Sequence, residues 1–138
     1  MGTIFKRKIY DEMLVWKSES AGESALLIEG PRSVGKSTLV RSFEQKEYRS
    51  HVIIDFAKAS REEKRLFNDI SDLDYFFTRL KLLKGVSLYE RESVIIFDEV
   101  QQYPIARQAI KYLVEDGRYD YIETGSLISI HKNVDNIV

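Results

Sequence analysis

Gly30-Pro31-Arg32-Ser33-Val34-Gly35-Lys36-Ser37-Thr38 sets two glycines, a lysine and hydroxyls at fixed spacing directly after the apolar run Ala25-Leu26-Leu27-Ile28. That spacing suits a loop that grips the phosphate tail of a nucleotide. Successive backbone N–H groups must curl around the phosphates, and Gly30 and Gly35 supply conformations that a side chain would hinder. A helix beginning at Lys36 turns its N-terminal N–H groups and dipole towards the anion. Lys36 then reaches the outer phosphates, and the Ser37 hydroxyl is placed to ligate magnesium carried by the nucleotide. Lys36 at a helix start opposes the dipole unless an anion is present, so a bound phosphate resolves a local conflict. Pro31, Arg32, Ser33, Val34 and Thr38 complete the cradle, Arg32 and Ser33 mainly through their main-chain N–H groups.

A second group of residues supplies what hydrolysis would need. Asp98-Glu99 follows the apolar run Val94-Ile95-Ile96-Phe97. In an open parallel sheet the carboxyl ends of the strands line the ligand crevice, so Asp98 is expected to face the magnesium beside Ser37. Glu99, one residue further, is expected to address the attacking water as general base or orienter. Thr124 and Ser126 lie at the end of the run starting at Tyr119, where a polar side chain would contact the outermost phosphate or the water; Thr124 is preferred because it directly ends the strand. The expected catalytic residues are therefore Lys36, Glu99 and Thr124, with Ser37 and Asp98 on the metal. Asn133-Val134-Asp135 lacks the Asn-Lys-x-Asp element that would read guanine, which makes ATP with Mg2+ the expected pair of cofactors. Asp55 is expected to be peripheral, Gln101 and Gln102 to cap or face solvent before Pro104, and His51 and His131 to be surface or packed residues.

The elements that must position these groups alternate. Ile4, Ile9, Met13, Leu14 and Trp16 recur at near-helical spacing and predict a leading amphipathic helix over about residues 4–18. Strands are expected at Ser24–Glu29, Val52–Phe56, Val94–Phe97 and Tyr119–Thr124, the first an almost unbroken apolar run suited to a covered parallel strand. Between them lie a helix from Lys36 to Lys46 burying Leu39, Val40 and Phe43, and a helix start capped at Ser60. An amphipathic helix from Ser71 to Leu83 with Leu73, Phe76, Phe77, Leu80 and Leu83 inward is stopped by Gly85. Pro104 opens a helix that buries Ala106, Ile110, Leu113 and Val114 and ends at Gly117. This alternation predicts an α/β fold, a three-layer α/β/α sandwich on a mainly parallel sheet.

The chain has 138 residues, 43% of them hydrophobic, enough for the core of one domain over residues 1–138. A net charge of −1 gives no basic field, so nucleic acid is not indicated as a partner. There is no cysteine and there are only two histidines, which removes disulfides and argues against zinc. Met1–Lys8 lacks the apolar run of a secretion signal and no stretch approaches membrane-spanning length, so the expected location is the cytoplasm, where ATP is met.

With these residues in view, the chain resembles the bacterial and archaeal AAA-type ATPases, P-loop proteins whose phosphate loop reads Gly-Pro-Arg-x-Val-Gly-Lys-Ser/Thr-Thr-Leu. Here that is Gly30 to Leu39; the second motif, Phe-Asp-Glu-Val-Gln, is similar to Phe97–Gln101, and Thr-Gly-Ser matches Thr124-Gly125-Ser126. The resemblance implies ATP binding and hydrolysis on a P-loop sheet of order 5-1-4-3-2. It also implies a fifth strand, a helical lid and an arginine that completes a neighbour's site, beyond the part matched here. The expectation is a truncated or excised N-terminal core whose first strand is an exposed apolar edge, self-associating through that edge or recruiting its own tail, with slow turnover. A nucleotide-binding interaction module without useful turnover is the alternative. A small-molecule phosphotransferase is disfavoured, because Glu99 is placed to activate water and no acceptor lid is recognisable.

Overall fold

A computed structural model describes residues 2–30 and 36–126, with side chains over 7–30 and 38–125. Pro31–Gly35 of the expected phosphate loop and residues 127–138 lie outside the described residues, as do the side chains of Lys36, Ser37 and Ser126. The elements run α1 (Gly2–Ser20), β1 (Leu26–Gly30), α2 (Lys36–Glu47), β2 (Ser50–Asp55), α3 (Arg61–Arg65), α4 (Leu73–Lys84), β3 (Ser93–Asp98), α5 (Pro104–Asp116) and β4 (Asp120–Ser126). Short 3-10 turns cover Leu66–Asp69 and Val100–Gln102.

The caps that the sequence signals are present: Ser60 forms a reciprocal capping box with Glu63, and Gly85 and Gly117 end their helices in the left-handed region at φ 62° and 81°. Asp72, which the sequence pattern places inside a helix starting at Ser71, is instead the cap of α4 and accepts from the Tyr75 N–H. Pro104 occupies the first turn of α5, where its missing N–H costs nothing.

All strand pairs are parallel, in the order β1-β4-β3-β2. β4 therefore lies between the strand leading into the expected phosphate loop and the strand ending in Asp98, the order the resemblance implies. Side chains alternate across this sheet and build two cores. Val94, Ile96 and Ile122 pack with Met13 of α1 and with Leu39, Val40 and Phe43 of α2. On the other face, Ile95, Phe97 and Tyr121 pack with Phe76, Phe77 and Leu80 of α4 and with Ala106, Ile110 and Leu113 of α5. The result is the three-layer sandwich read from the sequence. Phe76 and Phe77 are core residues at 1% exposure each, whereas Leu83 is 41% exposed: it falls one residue before the end of α4, beyond the elements that bury Leu80. Among the described residues β1 pairs only with β4 and its apolar residues are half-buried, so it forms one edge of the sheet.

Candidate functional site

Because all strands run the same way, Gly30, Asp55, Asp98 and Ser126 gather at one edge of the sheet. The register pairs Gly30 with Ser126 and Asp55 with Asp98. Asp98 and Thr124 stand two residues beyond Ile96 and Ile122, so alternation puts them on the face covered by α2, the helix that follows the expected phosphate loop. A cavity of about 230 Å³ opens there beside Asp98, lined also by Val40, Arg41, Ile53, Asp55, Lys58 and Ile96. Asp55, expected to be peripheral, thus flanks Asp98: both strands end in step, which period alone in one strand does not disclose.

Four residues are tied together by hydrogen bonds, the link between Thr124 and Glu99 running through the Glu99 main chain. The Thr124 hydroxyl donates to Asp98 Oδ1 and accepts from the Glu99 N–H at 3.0 Å. Gln101 Nε2 donates to Glu99 Oε2 at 2.6 Å. Glu99 has φ 53° and ψ 49°, a left-handed conformation unfavourable for a residue with a Cβ, and the Thr124 bond fixes it there. Glu99 and Thr124 are buried at 5% and 1% exposure. Thr124 was expected to address phosphate or water; in this arrangement its one proton is directed at Asp98, and its hydroxyl joins the two acids. Gln101 departs from the expected capping or solvent role: it is 7% exposed and turned onto Glu99, while Gln102 is exposed. The reason is the 3-10 turn Val100–Gln102, whose Val100 is fully buried and directs its neighbour inward.

A second polar pair went unnoticed in the sequence. Glu44 of α2 is 1% exposed, with Oε1 at 3.3 Å from His51 Nε2 of β2 and Oε2 without a partner among the described residues. Burial pushes the Glu44 carboxyl up to about 7, opposed by the Arg41 charge, and burial pulls the His51 imidazole down. Both shifts favour neutral partners, so the contact is better described as carboxyl to imidazole than as an ion pair.

A parallel sheet of this order, with a glycine-bearing strand-to-helix connection and an acidic pair at the neighbouring strand end, defines the P-loop NTPase type of α/β/α core. The sequence profile of the AAA domain family matches residues 22–136, which takes in the four described strands and both sequence motifs. The chain belongs to that family and carries a nucleotide-binding AAA-type domain. Comparison with curated proteins gives no match. No helix among the described residues is long and apolar enough to cross a membrane.

Proposed function

We propose that this domain binds ATP with Mg2+ and hydrolyses it. The observation that carries the reading is the acidic pair Asp98-Glu99 held at the carboxyl end of β3, on the same sheet edge as Gly30 and joined through Thr124. In this reading Gly30, Pro31, Arg32, Ser33, Val34, Gly35, Lys36, Ser37 and Thr38 cradle the phosphates, and Lys36 offsets their charge. The donors fit magnesium: Asp98 and the Ser37 hydroxyl are hard oxygen ligands, and such sites take one or two protein oxygens and fill the rest with phosphate and water. Bound magnesium would supply charge neutralisation at the phosphates, while Glu99 accepts a proton from water and Thr124 keeps both acids aimed.

Calorimetric titration with ATP, ADP and GTP, with and without Mg2+, tests pocket, base and metal together. Lys36→Ala is expected to abolish ATP affinity; unchanged affinity would overturn the reading. Glu99→Gln is expected to slow phosphate release on the order of 100-fold while retaining ATP. The burial of Glu99 favours a second reading, a module that holds ATP without useful turnover, and equal release by wild type and Glu99→Gln would select it.

The edge position of β1 supports self-association through that strand, beside a groove lined by Ile9, Met13, Leu26 and Ile28. Sedimentation that stays monomeric at high concentration would remove this part. A cytoplasmic location is in keeping with the need for ATP.

A further inference from the structure

We propose that Gln101 is the positioning residue for the Glu99 carboxylate, the group that fixes where the water-activating oxygen points; the inference rests on the ATPase reading above. Glu99 is over-determined in two independent ways. Its backbone, strained at φ 53°, is held by the bond from its N–H to Thr124 Oγ1, and its side chain is held by Gln101 Nε2 at 2.6 Å. Strain of this kind persists only where surrounding contacts enforce it, and it collects where a side chain must be aimed.

Gln101 is itself rigidly mounted. The 3-10 turn is closed by Gln102 N–H to Glu99 O at 3.0 Å and Tyr103 N–H to Val100 O at 3.1 Å, and Val100 anchors it in the core. A carboxylate only accepts, so the carboxamide nitrogen must face Glu99 and Oε1 must turn away. Oε1 is buried with no partner among the described residues. A glutamine chosen for packing alone would not carry that penalty; an apolar residue would fill the space without it. The donated hydrogen bond is what the glutamine adds.

The test compares the full chain with Gln101→Met, nearly isosteric but without a donor, and Gln101→Glu, which exchanges donor for acceptor. Both are expected to lower kcat for ATP hydrolysis on the order of 10–100-fold, with KM and the calorimetric ATP affinity within about twofold of wild type. A second readout needs no nucleotide. The Gln101 side-chain amide protons should resonate downfield in the NMR spectrum of the free protein and return upfield in Glu99→Ala. Wild-type kcat in a folded Gln101→Met variant would reduce Gln101 to packing and overturn the inference, as would a faster kcat or amide resonances indifferent to Glu99. A wild-type chain that binds no ATP would overturn the functional reading and this inference with it, a failure distinguished by its appearing before any substitution at Gln101.

Discussion

The two ends of β3 are built from the same devices and put them to opposite use. Arg91 precedes the strand at φ 61°, and Glu99 follows it at φ 53°, so a left-handed residue with a full side chain stands at each end. At the amino end Arg91 pairs with Asp120 and donates to Gly117 O at 2.9 Å, and the Tyr48 hydroxyl donates to Asp120 Oδ2 at 2.6 Å. Cation and anion are matched, and the space left beside Arg91 is so small that a Cβ on Gly22 would collide with its guanidinium. At the carboxyl end two consecutive acids are joined by the neutral hydroxyl of Thr124 and the neutral carboxamide of Gln101. The lesson is that equal strain closes one end, where charge is balanced, and at the other holds two adjoining acids in place, as the proposed Mg2+ site would need.

Asp120→Ala should separate the ends most clearly. It removes the acceptor of a buried tyrosine and the partner of a half-exposed arginine, at a cost of about 2–3 kcal/mol in urea unfolding. ATP affinity should not change. A large loss of affinity without loss of stability would show that the amino end also serves the site and break the contrast.

The next effect is set by pH and lies off the strand ends, in the Glu44–His51 contact. Glu44 has a folded value near 7 against 4.5 unfolded, so its burial is without penalty below pH 4.5 and costs stability as pH rises towards 7 and beyond. His51, pulled down by burial, acts in the opposite sense at the acid end, and the Arg41 charge limits the Glu44 shift. Glu44→Gln should therefore raise stability at alkaline pH by on the order of 2 kcal/mol and flatten its decline between the two values. Thermal unfolding at pH 5 and 8 checks this; a wild type whose stability rises across that window would refute the assignment.

How much of this was legible follows from the same residues. A strand buried on both faces appears as an unbroken apolar run, so β3 is readable, the shorter apolar stretches of β2 and β4 stand out beside it, and Ser60, Gly85 and Gly117 mark helix ends by chemistry that acts locally. The acidic pair was readable because its position after a strand fixes its place in a parallel sheet. Polar residues that turn inward were not. Glu44 lies four residues after Val40, and His51 two before Ile53, so period places both on an inner face; the sequence leaves His51 open between surface and packed, and the charge of Glu44 hides its inward turn. Gln101 gave no periodic signal at all, since a three-residue 3-10 turn has no repeat to reveal which way it faces.

Thr124→Val tests the bridge between the acids. It deprives the Glu99 N–H of its acceptor and Asp98 of its donor within a buried site, and should cost about 1–2 kcal/mol while lowering turnover. Thr124→Ser keeps the hydroxyl and should retain both properties nearly unchanged. If the serine variant lost turnover as fully as the valine variant, the hydroxyl would not be the group that matters.

The smallest effect on stability carries the sharpest test of the contrast. Asp98→Asn keeps an oxygen to accept from Thr124 and removes one of two adjoining negative charges, so unfolding should shift by no more than about 0.5 kcal/mol, in the stabilising direction. The equivalent change at the other end, where Asp120 is matched by Arg91, has no such relief available. What Asp98→Asn should lose is the gain in ATP affinity that Mg2+ confers, read by calorimetry with and without the metal. A destabilised Asp98→Asn variant that keeps its full response to Mg2+ would mean that Asp98 serves the fold as Asp120 does, and that the two ends of β3 differ only in composition.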